Sequence, residues 1–165
     1  MAALTTLALV VFIIEAQIPL PLPIPGAKLG LANTVTLFAL FYGCNRKLPT
    51  YHAIDAFMML VCRIILGAVF AGSGIAFIYS LTGGMLAFAA QAIMKRFVTS
   101  KQIWVCGATG AIFHNIGQVL AAMLITGTPS IAAYLPLLII AGVLTGVITG
   151  LVTQFTLWRL TPQGG

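Results

Sequence analysis

Six apolar runs fill almost the whole of this 165-residue chain, parted only by short breaks of proline, glycine and charge. A hydrocarbon core about 30 Å thick needs roughly 17–25 helical residues, and fewer where neighbouring helices shield a span. Runs at about 2–16, 29–43, 51–71, 75–97, 103–126 and 134–160 fit helices of that kind, the second being short. Composition removes the soluble alternative. With 61% hydrophobic and 6% charged residues, ten charged side chains cannot cover the surface of a water-soluble fold. The chain is therefore predicted to be an all-α integral membrane protein, a single domain over 1–165 built as a six-transmembrane-helix bundle.

Basic residues orient the bundle. With the N-terminus inside, the cytoplasmic connections carry Arg46 and Lys47, then Lys95, Arg96 and Lys101, then Arg159, whereas the outer ones carry only Lys28. This asymmetry places both termini in the cytoplasm, in a multi-pass protein of the cell membrane. The net charge of +6 is scattered between apolar runs, not gathered on one face, and so reads as topology information instead of a nucleic-acid footprint. Cys44, Cys62 and Cys106 lie in or beside apolar segments with no CxxC spacing, and read as buried thiols.

On this orientation the intramembrane polar groups gather in the outer half: Glu15, Gln17, Lys28, Asn33, Arg63, Tyr79, His114, Asn115 and Gln118. Charges at that depth cost about 2.5–3.5 kcal/mol each on insertion scales and face the bundle interior or a wet cavity. His114, Asn115 and Gln118 are spaced to share one face of the fifth helix. Glu15 ends one helix and Lys28 begins another, each at the end where the helix dipole disfavours its sign. Either an ion pair of Glu15 with Lys28 or Arg63 holds the acid, or a leftover base meets a substrate anion, for which a guanidinium is well shaped. Asp55, in a first helical turn, reads as structural.

Two further segments carry alternatives. Ile18 to Gly26 reads IPLPLPIPG, and Pro19, Pro21, Pro23 and Pro25 forbid a strand ladder and favour polyproline II. The segment is either a lid over the polar cluster, the favoured reading, or a stiff spacer. Gly142, Gly146 and Gly150 recur every fourth residue in the sixth helix, a stripe for close backbone approach. It serves either a docking partner or packing within the bundle.

Catalysis by the chain alone is not expected. It lacks a GxxxxGK[ST] loop for ATP, its two acids lie at opposite membrane faces and cannot chelate magnesium, and no ligand set for a metal or catalytic triad is visible. No cofactor is expected in the chain.

Three motifs carry a resemblance: IEAQIPLPLPIPGAKLGLAN at 14–33, YSLTGG at 79–84 and HNIGQ at 114–118. Together they resemble the bacterial Gx transporter family, also labelled heptaprenyl diphosphate synthase component I and related to the substrate-binding S components of energy-coupling factor transporters. The resemblance implies an S-component-like fold with an outward-facing pocket under the first loop. It also implies a transmembrane coupling protein and two cytoplasmic ATPases as partners, ATP being used by the latter. Glu15, Lys28, Asn33, Arg63, Tyr79, His114, Asn115 and Gln118 are the candidate pocket residues. The expected ligand is a small anionic or isoprenoid-related molecule; the alternative role is a non-catalytic subunit of heptaprenyl diphosphate synthase in menaquinone side-chain synthesis.

Overall fold

A computed structural model describes residues 2–17, 30–42 and 53–160. Among the described residues six α-helices follow in order: α1 (Ala2–Gln17), α2 (Asn33–Tyr42), α3 (Ala53–Ala71), α4 (Gly74–Met94), α5 (Ile103–Thr126) and α6 (Leu135–Leu160), with a 3-10 turn, Pro129–Tyr134, leading into α6. Four helical segments, α3, α4, α5 and the stretch Pro129–Leu160, are long and apolar enough to cross a membrane. The 16 residues of α1 and 10 of α2 are shorter, reaching about 24 Å and about 15 Å at 1.5 Å per residue.

The surface is apolar, unlike that of a soluble bundle, and the intramembrane polar side chains are drawn into a largely apolar interior. Leu124 is 86% and Val69 73% exposed, whereas Glu15, Arg63, Gln91, His114, Asn115 and Gln118 are buried. That arrangement suits a lipid solvent, which rewards outward hydrocarbon and penalises every polar group it touches. The chain is accordingly a multi-pass membrane protein.

Packing centres on α5, which lies against α6 along most of its length and against α4 on another side. The glycine stripe of α6 makes the first contact possible. A Cβ on Gly146 would lie 2.7 Å from the Ala108 Cα, one on Gly150 would lie 2.6 Å from the Trp104 Cα, and one on Gly107 would overlap the Gly146 carbonyl oxygen. Gly142, Gly146 and Gly150 are therefore buried against α5, the packing role that was one of the two readings of the stripe. Without a hydrophobic drive between helices in lipid, backbone proximity is what holds the pair. The opposite face of α6, with Leu137, Ile140, Leu144, Ile148 and Leu151, is exposed.

Helix ends are satisfied by side chains from elsewhere in the bundle. Lys95, just past α4, donates from Nζ to the Leu40 carbonyl at 2.5 Å, and its ammonium lies 5.7 Å from the Phe41 ring. It thus serves the C-terminal end of α2, where carbonyls are unpaired and the dipole favours a cation. At the start of α5, the Ile103 N–H donates to Gln154 Oε1 of α6 at 3.1 Å. Such partners matter where no water can substitute. Lys95→Met is expected to lower unfolding stability in detergent by about 1 kcal/mol and Lys95→Arg by less, the size of one charge-assisted cap.

Two boundaries differ from those expected. The second helix begins at Asn33 and not near 29, because Gly30 takes φ 80° and residues 31–32 form a turn. The fourth ends at Met94, where the chain tightens: Phe97 N–H bonds to the Met94 carbonyl at 2.9 Å and Arg96 N–H to that of Ile93 at 3.1 Å. The sixth starts where expected, with the 3-10 turn as its lead-in.

Candidate functional site

The head of α2 is the meeting point. Glu15, at the C-terminal end of α1, directs its carboxylate at the backbone N–H groups of Gly30, Leu31 and Ala32, the Gly30 N–H donating to Oε1 at 2.5 Å. An acid at the unfavourable end of its own helix is thereby placed at the favourable end of another, where N–H groups converge on an anion. This is the source of stabilisation that the sequence left open.

Arg63 of α3 approaches the same point. It is 2% exposed, attracts Glu15 electrostatically, and donates from one terminal nitrogen to Asn33 Oδ1 at 3.3 Å. Its Nε is buried with no hydrogen-bond partner among the described residues. The Asn33 amide nitrogen lies 3.1 Å from His114 Nδ1, and Gln118 Nε2 lies 3.0 Å from His114 Nε2. A chain of polar groups thus runs from Arg63 through Asn33 and His114 to Gln118, with Glu15 beside its first member.

The donor inventory orients this chain. Guanidinium only donates, so Asn33 must turn its oxygen to Arg63 and its NH₂ to His114. His114 Nδ1 then accepts, and a neutral imidazole carries its proton on Nε2. Gln118 must meet that N–H with its amide oxygen, which a half-turn of the amide brings to the position of its nitrogen. In ¹⁵N NMR of a His52→Gln background, His114 is expected to show Nε2 protonated and Nδ1 unprotonated. A signal from protonated Nδ1 is the contrary result.

Glycines make room for the ring. A Cβ on Gly30 would lie 2.9 Å from His114 Cδ2, and one on Gly83 of α4 2.8 Å from His114 Nδ1 and Cε1. The imidazole therefore sits between the head of α2 and the middle of α4, with no slack for a β-carbon on either side. Gly83 makes room for His114, and its neighbour Gly84 lies against Ile64 and Leu60 of α3.

Of the expected pocket residues, Glu15, Asn33, Arg63, His114 and Gln118 come together. Tyr79 is buried in an apolar cluster with Val119, Ala121, Ala122 and Leu138. Asn115 turns toward α6, donating to the Leu138 carbonyl at 2.6 Å and leaving its own oxygen without a partner among the described residues. Asn115 is about 100° round the helix from His114 and about 60° from Gln118, so it stands at the edge of their face and here reaches α6. Lys28, expected in the pocket, lies outside the described residues. So do Pro19, Pro21, Pro23 and Pro25, and with them the choice between lid and spacer.

Gln91 of α4 was missed. It is 2% exposed, its Oε1 has no hydrogen-bond partner among the described residues, and it lines a void with Gly30, Asn33, Thr34, Thr145 and Thr149. That void measures about 10 Å³, the room of about one water. A lone glutamine in an apolar run was the available signal, hidden by distance in sequence from the outer motifs. Among the described residues no cluster of histidine, cysteine, aspartate and glutamate could hold a metal ion.

The architecture is that of a multi-pass helical membrane protein which buries an acid and a guanidinium near the head of a helix. A family profile described as heptaprenyl diphosphate synthase component I matches residues 4–156. The chain belongs to that family, in agreement with the motif resemblance. No curated protein and no solved structure gives a significant match.

Proposed function

We propose that the chain is a membrane-embedded binding subunit of the S-component type, taking a small anionic or isoprenoid-related molecule at the head of α2. Its six helices cross the bacterial cell membrane with both termini in the cytoplasm. One observation carries the reading: Arg63 is buried within an apolar span, and its Nε donor is unfilled among the described residues. A guanidinium held at such cost is expected where it meets a functional anion. Transport on this reading depends on a coupling protein and partner ATPases, since the sequence carries no phosphate-binding loop.

The test is small-molecule mass spectrometry on gently purified protein, followed by thermal unfolding with the compound identified. A stabilising ligand whose effect disappears in Arg63→Gln supports the proposal. A ligand that stabilises Arg63→Gln as fully as wild type sinks the site assignment.

The family description favours a second reading, a non-catalytic subunit of a prenyl diphosphate synthase. Adding the purified chain to a catalytic synthase partner and following chain elongation separates the two. Stimulation supports the accessory role, and an unchanged rate counts against it.

A further inference from the structure

The donors at the head of α2 outnumber the anions that serve them among the described residues. Three backbone N–H groups, of Gly30, Leu31 and Ala32, face one carboxylate, and the Arg63 guanidinium beside them keeps a buried nitrogen without a partner. These groups would accommodate a carboxylate or a phosphate equally, because all of them donate and all lie on the positive end of a helix. Glu15 sits at the C-terminal end of α1, against the dipole of that helix, and the pull of the α2 head and of Arg63 holds it there.

Charge is the second constraint. An ionised carboxylate only accepts, so it cannot donate to a second anion, and two anions on one set of donors repel strongly at low dielectric.

We infer that a ligand oxyanion binds here by displacing Glu15 from the N-terminus of α2, the glutamate being an internal occupant that holds the empty site closed. The inference rests on the anionic-ligand reading above and adds the order of events: the carboxylate leaves, the anion takes the three N–H groups, and Arg63 Nε gains its missing acceptor. Glu15 on this account competes with the ligand, in contrast to the contact role expected from sequence.

The probes are inorganic diphosphate and octanoate, which separate phosphate from carboxylate recognition. Removing an internal competitor raises the competent fraction, so Glu15→Gln is expected to bind the preferred probe about tenfold more tightly than wild type. Equal or weaker binding by Glu15→Gln overturns the inference and leaves the anion site standing. A second measurement needs no variant. The chain has two carboxylate side chains, Glu15 and Asp55, so an infrared difference spectrum of wild type on adding diphosphate reads Glu15 with little overlap. A shifted carboxylate band, or a new protonated carbonyl band, supports displacement; bound diphosphate with both carboxylate bands unmoved overturns it. If neither probe binds wild type or Glu15→Gln, the anionic-ligand reading falls and the displacement with it.

Discussion

Adding a side chain at Gly107 or Gly146 is expected to cost about 3 kcal/mol or more, or to prevent folding, because overpacking here meets backbone and not a yielding side chain. A Cβ at Gly107 overlaps the Gly146 carbonyl, and one at Gly146 reaches Ala108 Cα at 2.7 Å. The two helices can relieve that only by moving apart, which forfeits their whole contact. Valine at each position, compared with Leu144→Val on the exposed face, measures the effect by unfolding in mixed micelles. Leu144→Val is expected to stay within about 0.5 kcal/mol of wild type. The comparison also separates the two uses of the stripe: a docking surface would leave the isolated chain stable and weaken only its assembly.

Arg63→Leu is expected to cost about 3–5 kcal/mol, the penalty for removing one member of a buried charge pair. The carboxylate of Glu15 would then face α2 without its cation, and Asn33 Oδ1 would lose its donor. The pairing itself is tested by a cycle with Glu15→Gln. If the two charges balance one another, the double variant loses clearly less than the sum of the single losses, by about 1 kcal/mol, within the range of coupled residues. Strict additivity would mean that Glu15 answers only to the N–H groups of residues 30–32. Arg63→Lys keeps the charge but loses the planar fork, and is expected to recover only part of the stability.

The extent of the helices was legible because lipid imposes a length and excludes charge, so the apolar runs and their breakers mark most ends. Ile103 and Thr126 bound α5 as expected, and the left-handed Gly127, φ 63°, explains its stop. The gathering of Glu15, Asn33, Arg63 and His114 was legible for the same reason, since helices of alternating direction assign each residue a depth. What one helix presents to another was not. Periodicity placed His114 and Gln118 together correctly, but the rotation of α5 that sends Asn115 to α6 depends on the glycines facing it. A Cβ on Gly142 would run into the Asn115 amide, so that asparagine and the glycine stripe are one packing decision. Glu15 was legible as misplaced in its own helix, yet its partner is the backbone of a different one. No pattern of side chains announces a hydrogen bond to N–H groups that nearly every residue possesses. Gly30 was the available hint, through the positive φ that turns those groups toward the acid.

The anchoring of α2 bears on how the protein is made. Its carbonyl end is served by Lys95, which lies 55 residues after Leu40 in the chain. At the moment the ribosome finishes α2, that lysine has not been synthesised, and a ten-residue helix is too short to enter the bilayer unaided. The cap on α2 therefore forms only once α4 has been made, so that an early part of the fold is completed by a later one.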